Sequence, residues 1–105
     1  MGINELAENL GLEKEEYIEL VELLIETSKA DMATAETALR EQDSDGAANA
    51  LHSIKGAAGN LGLTEIYEIA KQGEMAARSH DMNQLPGAVQ LLQEKLASLS
   101  ELSDT

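Results

Sequence analysis

The chain has 105 residues, twenty of them acidic against seven basic, for a net charge of −13. So negative a surface repels nucleic acid and anionic lipid, which excludes both as principal partners. With no cysteine there is no disulfide, thiol chemistry or cysteine metal site. No apolar run approaches the roughly 18 residues of a membrane span, so the expectation is a soluble cytoplasmic protein.

Met1-Gly2 matches the start of a myristoylation motif, but Leu6 stands where Ser or Thr is required. A short helix is predicted over Ile3 to Asn9, ended by Gly11. A long one follows from about Glu13 to Glu41. Its inward stripe is Tyr17, Val21, Leu24, Ser28, Met32, Ala35 and Leu39, at steps of three and four. The polar run Asp43-Ser44-Asp45-Gly46 breaks that helix and caps the next. The third helix turns Ala47, Leu51, Ile54, Ala58 and Leu61 inward, and Gly62 ends it in the left-handed region.

Thr64 is expected to cap a fourth helix, with Ile66, Ala70, Gly73 and Ala77 inward, fading at Ser79-His80-Asp81. Asn83 is expected to cap a fifth, which tolerates Pro86 in its first turn and buries Leu85, Val89, Leu92, Leu96 and Leu99. The stretch Ser100 to Thr105 reads as a polar tail. Together these elements predict an all-α domain over residues 1–105: an antiparallel four-helix bundle with a short additional N-terminal helix.

One stretch does not fit a purely structural helix. The run HSIKGAAGNLG, His52 to Gly62, holds three glycines, and each glycine inside a helix costs about 1 kcal/mol relative to alanine. On a helical wheel His52 lies roughly 140° from the centre of the buried face, Gly56 roughly 180° and Gly59 roughly 120°. Lys55 lies roughly 80° away, at the border of the buried stripe. The histidine therefore faces solvent, with glycines beside it that clear an approach for another protein's backbone. Lys55, one turn on, can reach over the imidazole, which suits a dianionic group carried on a ring nitrogen. His80 reads as a plain solvated side chain, and Gly73, on an inward face, as a site of close helix packing.

HSIKGAAGNLG resembles the signature of histidine-containing phosphotransfer (HPt) domains: His-x-x-Lys-Gly, small residues, then an apolar residue and Gly. His52, Lys55, Gly56, Ala57, Ala58, Leu61 and Gly62 match it. The family fold is a four-helix bundle with the histidine on an exposed face of the second bundle helix, so the resemblance covers nearly the whole chain. Some members place a glutamate on the following helix beside the histidine, and Glu74 stands at the matching spacing. Others have glutamine there, and a solvated carboxylate is the plain alternative for Glu74.

The resemblance implies a phosphoryl carrier and not an enzyme. His52 would be phosphorylated, Lys55 would offset the phosphoryl charge, and Glu74 would orient the imidazole. The implied partners are response-regulator receiver domains, a sensor histidine kinase, or both. The receiver would bring Mg²⁺, and the chain would need no cofactor or metal of its own. Ala48, Ser53, Gly56 and Gly59 on the third helix, with Lys71 and Arg78 on the fourth, would form the docking surface of a monomer. A different reading of the same residues is a non-catalytic acidic helical adaptor that docks partners without phosphotransfer. The opening methionine and polar tail fit a freestanding protein or a domain cut from a hybrid kinase.

Overall fold

The computed structural model describes residues 3–103; Met1-Gly2 and the last two residues lie outside the described residues. Among the described residues five helices follow one another: α1 (Ile3–Asn9), α2 (Lys14–Glu41), α3 (Ser44–Asn60), α4 (Thr64–Arg78) and α5 (Leu85–Ser103). The polar stretch predicted to form a tail from Ser100 is thus helical as far as Ser103. Leu96 and Leu99, in the turn before it, are buried in the core and anchor that end of α5.

The turns are built by local chemistry. Glu16 Oε1 accepts from the Glu13 backbone N–H at 3.0 Å, closing the start of α2. At its other end Gln42 takes a left-handed conformation at φ 57°, and the Asp43 carboxylate accepts from the Gly46 N–H at 3.0 Å. Two residues therefore suffice to turn α2 into α3. Gly62, at φ +71°, ends the α3 turn as predicted.

Two predicted caps are displaced. Leu63 is the residue before α4 and Thr64 is already its first helical residue, with its hydroxyl turned back toward the Gly62 carbonyl at 3.5 Å. Before α5, Asp81 does the work assigned to Asn83. Its carboxylate accepts from the N–H groups of Asn83 and Gln84, at 3.1 and 3.2 Å. An aspartate two or three residues upstream of free N–H groups closes the same ring as a cap, so composition alone does not choose between them.

Packing pairs α2 with α3 and α5, and α4 with α3 and α5, so the four long helices close into a ring; α1 lies on α2. The predicted inward residues line the interior, except that Leu39 is half-buried and Ile25 and Ala38 join it. Tyr17 is buried and donates its hydroxyl to the Leu61 carbonyl at 2.7 Å, tying the start of α2 to the end of α3. Burial pushes its phenol pKa up.

Ser28, in the same inward stripe, has a buried hydroxyl with no hydrogen-bond partner among the described residues. An unpaired buried hydroxyl costs about 1–3 kcal/mol. Ser28→Ala is therefore expected to raise the urea midpoint, by the equivalent of about 1 kcal/mol. A lowered midpoint would mean that the hydroxyl is bonded after all.

Candidate functional site

The site lies where α4 packs against α3. Gly73 makes that approach possible: a Cβ there would stand 2.9 Å from Leu51 Cδ1 and 3.3 Å from the Ala88 Cβ. The predicted packing role for Gly73 holds. With the helices this near, the next residue, Glu74, reaches α3 from a buried position, 6% exposed. The solvated alternative for Glu74 is overturned by that burial.

Three nitrogen-bearing side chains converge on the Glu74 carboxylate. Lys55 Nζ lies 2.8 Å from Oε1. Arg78 brings Nε to 3.0 Å and a terminal guanidinium nitrogen to 2.8 Å, both on Oε2. His52 Nδ1 is 3.1 Å from Oε2 and 3.4 Å from Oε1. Burial is the largest single influence on Glu74 and disfavours its charge. The hydrogen bonds from Lys55 and Arg78, with the charges of Lys55 and His52, together outweigh it and hold the carboxyl down at about 2.

An ionised carboxylate can only accept, so Nδ1 carries the proton and donates it to Glu74. In the neutral ring the lone pair then belongs to Nε2, which has no hydrogen-bond partner among the described residues. The His52 side chain is 62% exposed. The arrangement is thus a solvent-facing nucleophilic nitrogen whose tautomer is held from behind by a buried anion.

The other predicted site residues fall differently. Ser53, Gly56 and Gly59 are exposed on α3, and Lys71 is exposed on α4 with no ion pair among the described residues. A Cβ on Gly56 would meet nothing within 4 Å, as an open approach requires.

Ala48 is a correction: it is fully buried and offers no docking surface. The first turns of α3 bury Ala47, Ala48, Ala50 and Leu51, a wider arc than further on. The α4–α5 connection reaches that end of α3, where Met82 Sδ lies 3.9 Å from the Ser44 hydroxyl.

Gly59 is a second correction, of reason and not of place. A Cβ there would stand 3.3 Å from the Tyr67 ring, so this glycine answers to packing across α3 and α4. Lys55 and Arg78 are both paired with Glu74, contacts that the sequence reading did not assign. The i, i+4 spacing of Glu74 and Arg78 was the available sign of their pairing. No sign in the sequence told of Tyr67 against Gly59. Among the described residues no group of three His, Cys, Asp or Glu side chains assembles that could hold a metal, and no helix is long and apolar enough to cross a membrane.

Comparison with known proteins bears on this geometry. The family model of the Hpt domain matches residues 19–102. The crystal structure of histidine-containing phosphotransfer protein B (HptB) from Pseudomonas aeruginosa PAO1 is similar with a TM-score of 0.83. That match has 22% sequence identity and covers 94% of this chain and 86% of that one. At that identity the likeness is one of fold. No curated protein matches the chain in sequence.

Proposed function

This chain belongs to the Hpt domain family, and on that premise we propose that it is a phosphoryl carrier of a two-component phosphorelay, with His52 as the residue that carries. The observation behind this reading is the Nδ1 contact of 3.1 Å to Glu74, which leaves Nε2 free on the exposed side of the ring. The Nε2 lone pair attacks the phosphorus of an aspartyl phosphate on a receiver domain. The Nε2–P bond forms, the P–O bond to the aspartate breaks, and the carboxylate leaves with that electron pair. Nδ1 keeps its proton throughout, so the positive charge that develops on the ring is met by Glu74. The reverse step loads a second receiver.

The receiver brings Mg²⁺ and most of the transition-state stabilisation, so this chain is a carrier and not itself an enzyme. The ring of helix contacts, with short connections, supports an antiparallel four-helix bundle forming one domain over residues 1–105. The charged outer faces fit a cytoplasmic monomer that meets its partners transiently, through Ser53, Gly56 and the exposed edge of His52.

The test is to mix the protein with phosphorylated receiver domains and follow transfer of the label. The expected label is labile in acid and stable in base, as a phosphoramidate bond is. A folded protein that takes no label from a broad receiver set would favour the acidic adaptor.

Gly56 separates docking from chemistry. Gly56→Leu is expected to stabilise α3, since leucine is about 1 kcal/mol better than glycine in a helix and a Cβ at this position meets no neighbour. It is also expected to slow loading from a receiver while leaving loading from phosphoramidate, a donor too small to touch residue 56, unchanged. Equal loss with both donors would place the defect in the imidazole and not in the docking surface.

A further inference from the structure

The contacts of Glu74 are unequal in a way that bears on the transfer step, an inference that rests on the carrier reading above. Oε2 takes both Arg78 nitrogens and the shorter contact of His52 Nδ1, at 3.1 Å, whereas Oε1 takes Lys55 at 2.8 Å and Nδ1 at 3.4 Å. Arg78 belongs to the same helix as Glu74, at i+4, and grips one oxygen with two nitrogens, so it moves with the carboxylate. Lys55 comes from α3, one turn beyond His52, by a single nitrogen on a flexible stem. One cation is built into the anion's own helix; the other is on loan from the helix that carries the phosphoryl group.

We propose that Arg78 is a positioning residue for phosphotransfer: it keeps Glu74 charge-paired and in place, so that Lys55 can leave the carboxylate for the phosphoryl group when His52 is loaded. Without Arg78, the departure of Lys55 would leave the buried carboxylate with no cation but the loaded ring itself, and Lys55 would be held back. With Arg78, the carboxylate stays ionised and its position against Nδ1 is kept. Each time Lys55 leaves, the negative charge felt at Nδ1 grows just when the ring has become positive, which holds the proton on Nδ1 and keeps the ring a good leaving group. The charged groups that face the ring are Glu74 and Arg78 from α4 and Lys55 from its own helix; Lys71, a turn earlier on α4, is exposed and free of ion pairs among the described residues.

The experiment uses the wild-type chain, Arg78→Gln and Arg78→Lys, with phosphoramidate as donor. Nε2 attacks phosphorus, the P–N bond breaks and ammonia leaves, so no receiver docking enters. In Arg78→Gln the expected results are an uptake rate lower by about tenfold, as for other groups that orient a reacting imidazole, and ¹⁵N shifts showing loss of the single Nδ1–H tautomer. Arg78→Lys, which keeps the charge, is expected to restore most of both. In the wild-type protein, loading is expected to move the Lys55 side-chain resonances and to leave the Arg78 Nε–H peak where it was.

Uptake and ring shifts like wild type in both variants would overturn the proposal. So would a loaded wild-type protein in which Arg78 moves and Lys55 does not, a result that no folding defect can mimic. A wild-type chain that takes no label at His52 from phosphoramidate or from receivers would instead overturn the carrier reading itself.

Discussion

Phosphoryl uptake is expected to vanish in His52→Gln while the protein stays folded. Glutamine offers an amide nitrogen that can still donate to Glu74, but its lone pair is delocalised into the carbonyl and does not attack phosphorus. The side chain is 62% exposed and hydrogen-bonds only to Glu74 among the described residues, so little core packing depends on it. Its removal belongs with surface substitutions, which shift stability by about 0.5 kcal/mol or less. The check is label transfer from phosphorylated receivers, with circular dichroism on the same sample. The other histidine, His80, lies in the turn after α4 at φ 59° and is expected to remain unlabelled in both proteins. A residual acid-labile label in His52→Gln would transfer the role to His80.

The second large effect is at Glu74. Glu74→Gln preserves shape but removes the only charge that Lys55, Arg78 and the ring share. Uptake is expected to fall roughly 10–100-fold, because the amide can donate as well as accept and no longer selects the Nδ1–H tautomer. Stability should respond as well, with a definite dependence on pH. The carboxyl is held at about 2 in the folded chain against an ordinary 4.5, so folding is favoured wherever the group is ionised.

That contribution is fully present above the ordinary carboxylate range and is lost as pH falls from about 5 toward 2, an effect of up to about 3 kcal/mol. Wild type is therefore expected to exceed Glu74→Gln in urea midpoint at pH 7, and the gap should narrow below pH 5 and close toward pH 2. A gap that stays constant across that range would mean that ionisation of Glu74 contributes nothing.

Most of the fold was legible in the sequence because it depends on a period. Tyr17, Val21, Leu24 and Met32 could face only one way on a long helix, and the same holds for Leu85, Val89, Leu92 and Leu96 on α5. Gly62 was legible as a left-handed position for a different reason, the absence of a Cβ, and Gly11, legible only as a helix end, takes the same conformation. The site was legible one helix at a time. The wheel placed His52 outward and Lys55 on the border, and the resemblance put Glu74 beside the histidine.

The wheel could not see what a neighbouring helix brings to the flank. Ala48 is buried because other elements cover the start of α3, and Gly59 is small because a tyrosine from α4 lies against it. The same limit hid the partners of Lys55 and Arg78. A border cation can turn outward to a ligand or inward to a carboxylate, and only the distance between α3 and α4, which Gly73 allows, decides it.

The order of helix pairing also bears on how fast the site forms. Of the five pairs in contact, four join elements adjacent along the chain, and only α2 with α5 does not. Chains dominated by such local contacts fold in microseconds to milliseconds. The histidine and its glutamate lie 22 residues apart, on one such adjacent pair. Bringing the site together therefore closes only a short stretch of chain, whereas the α2–α5 seam has to join distant parts of it.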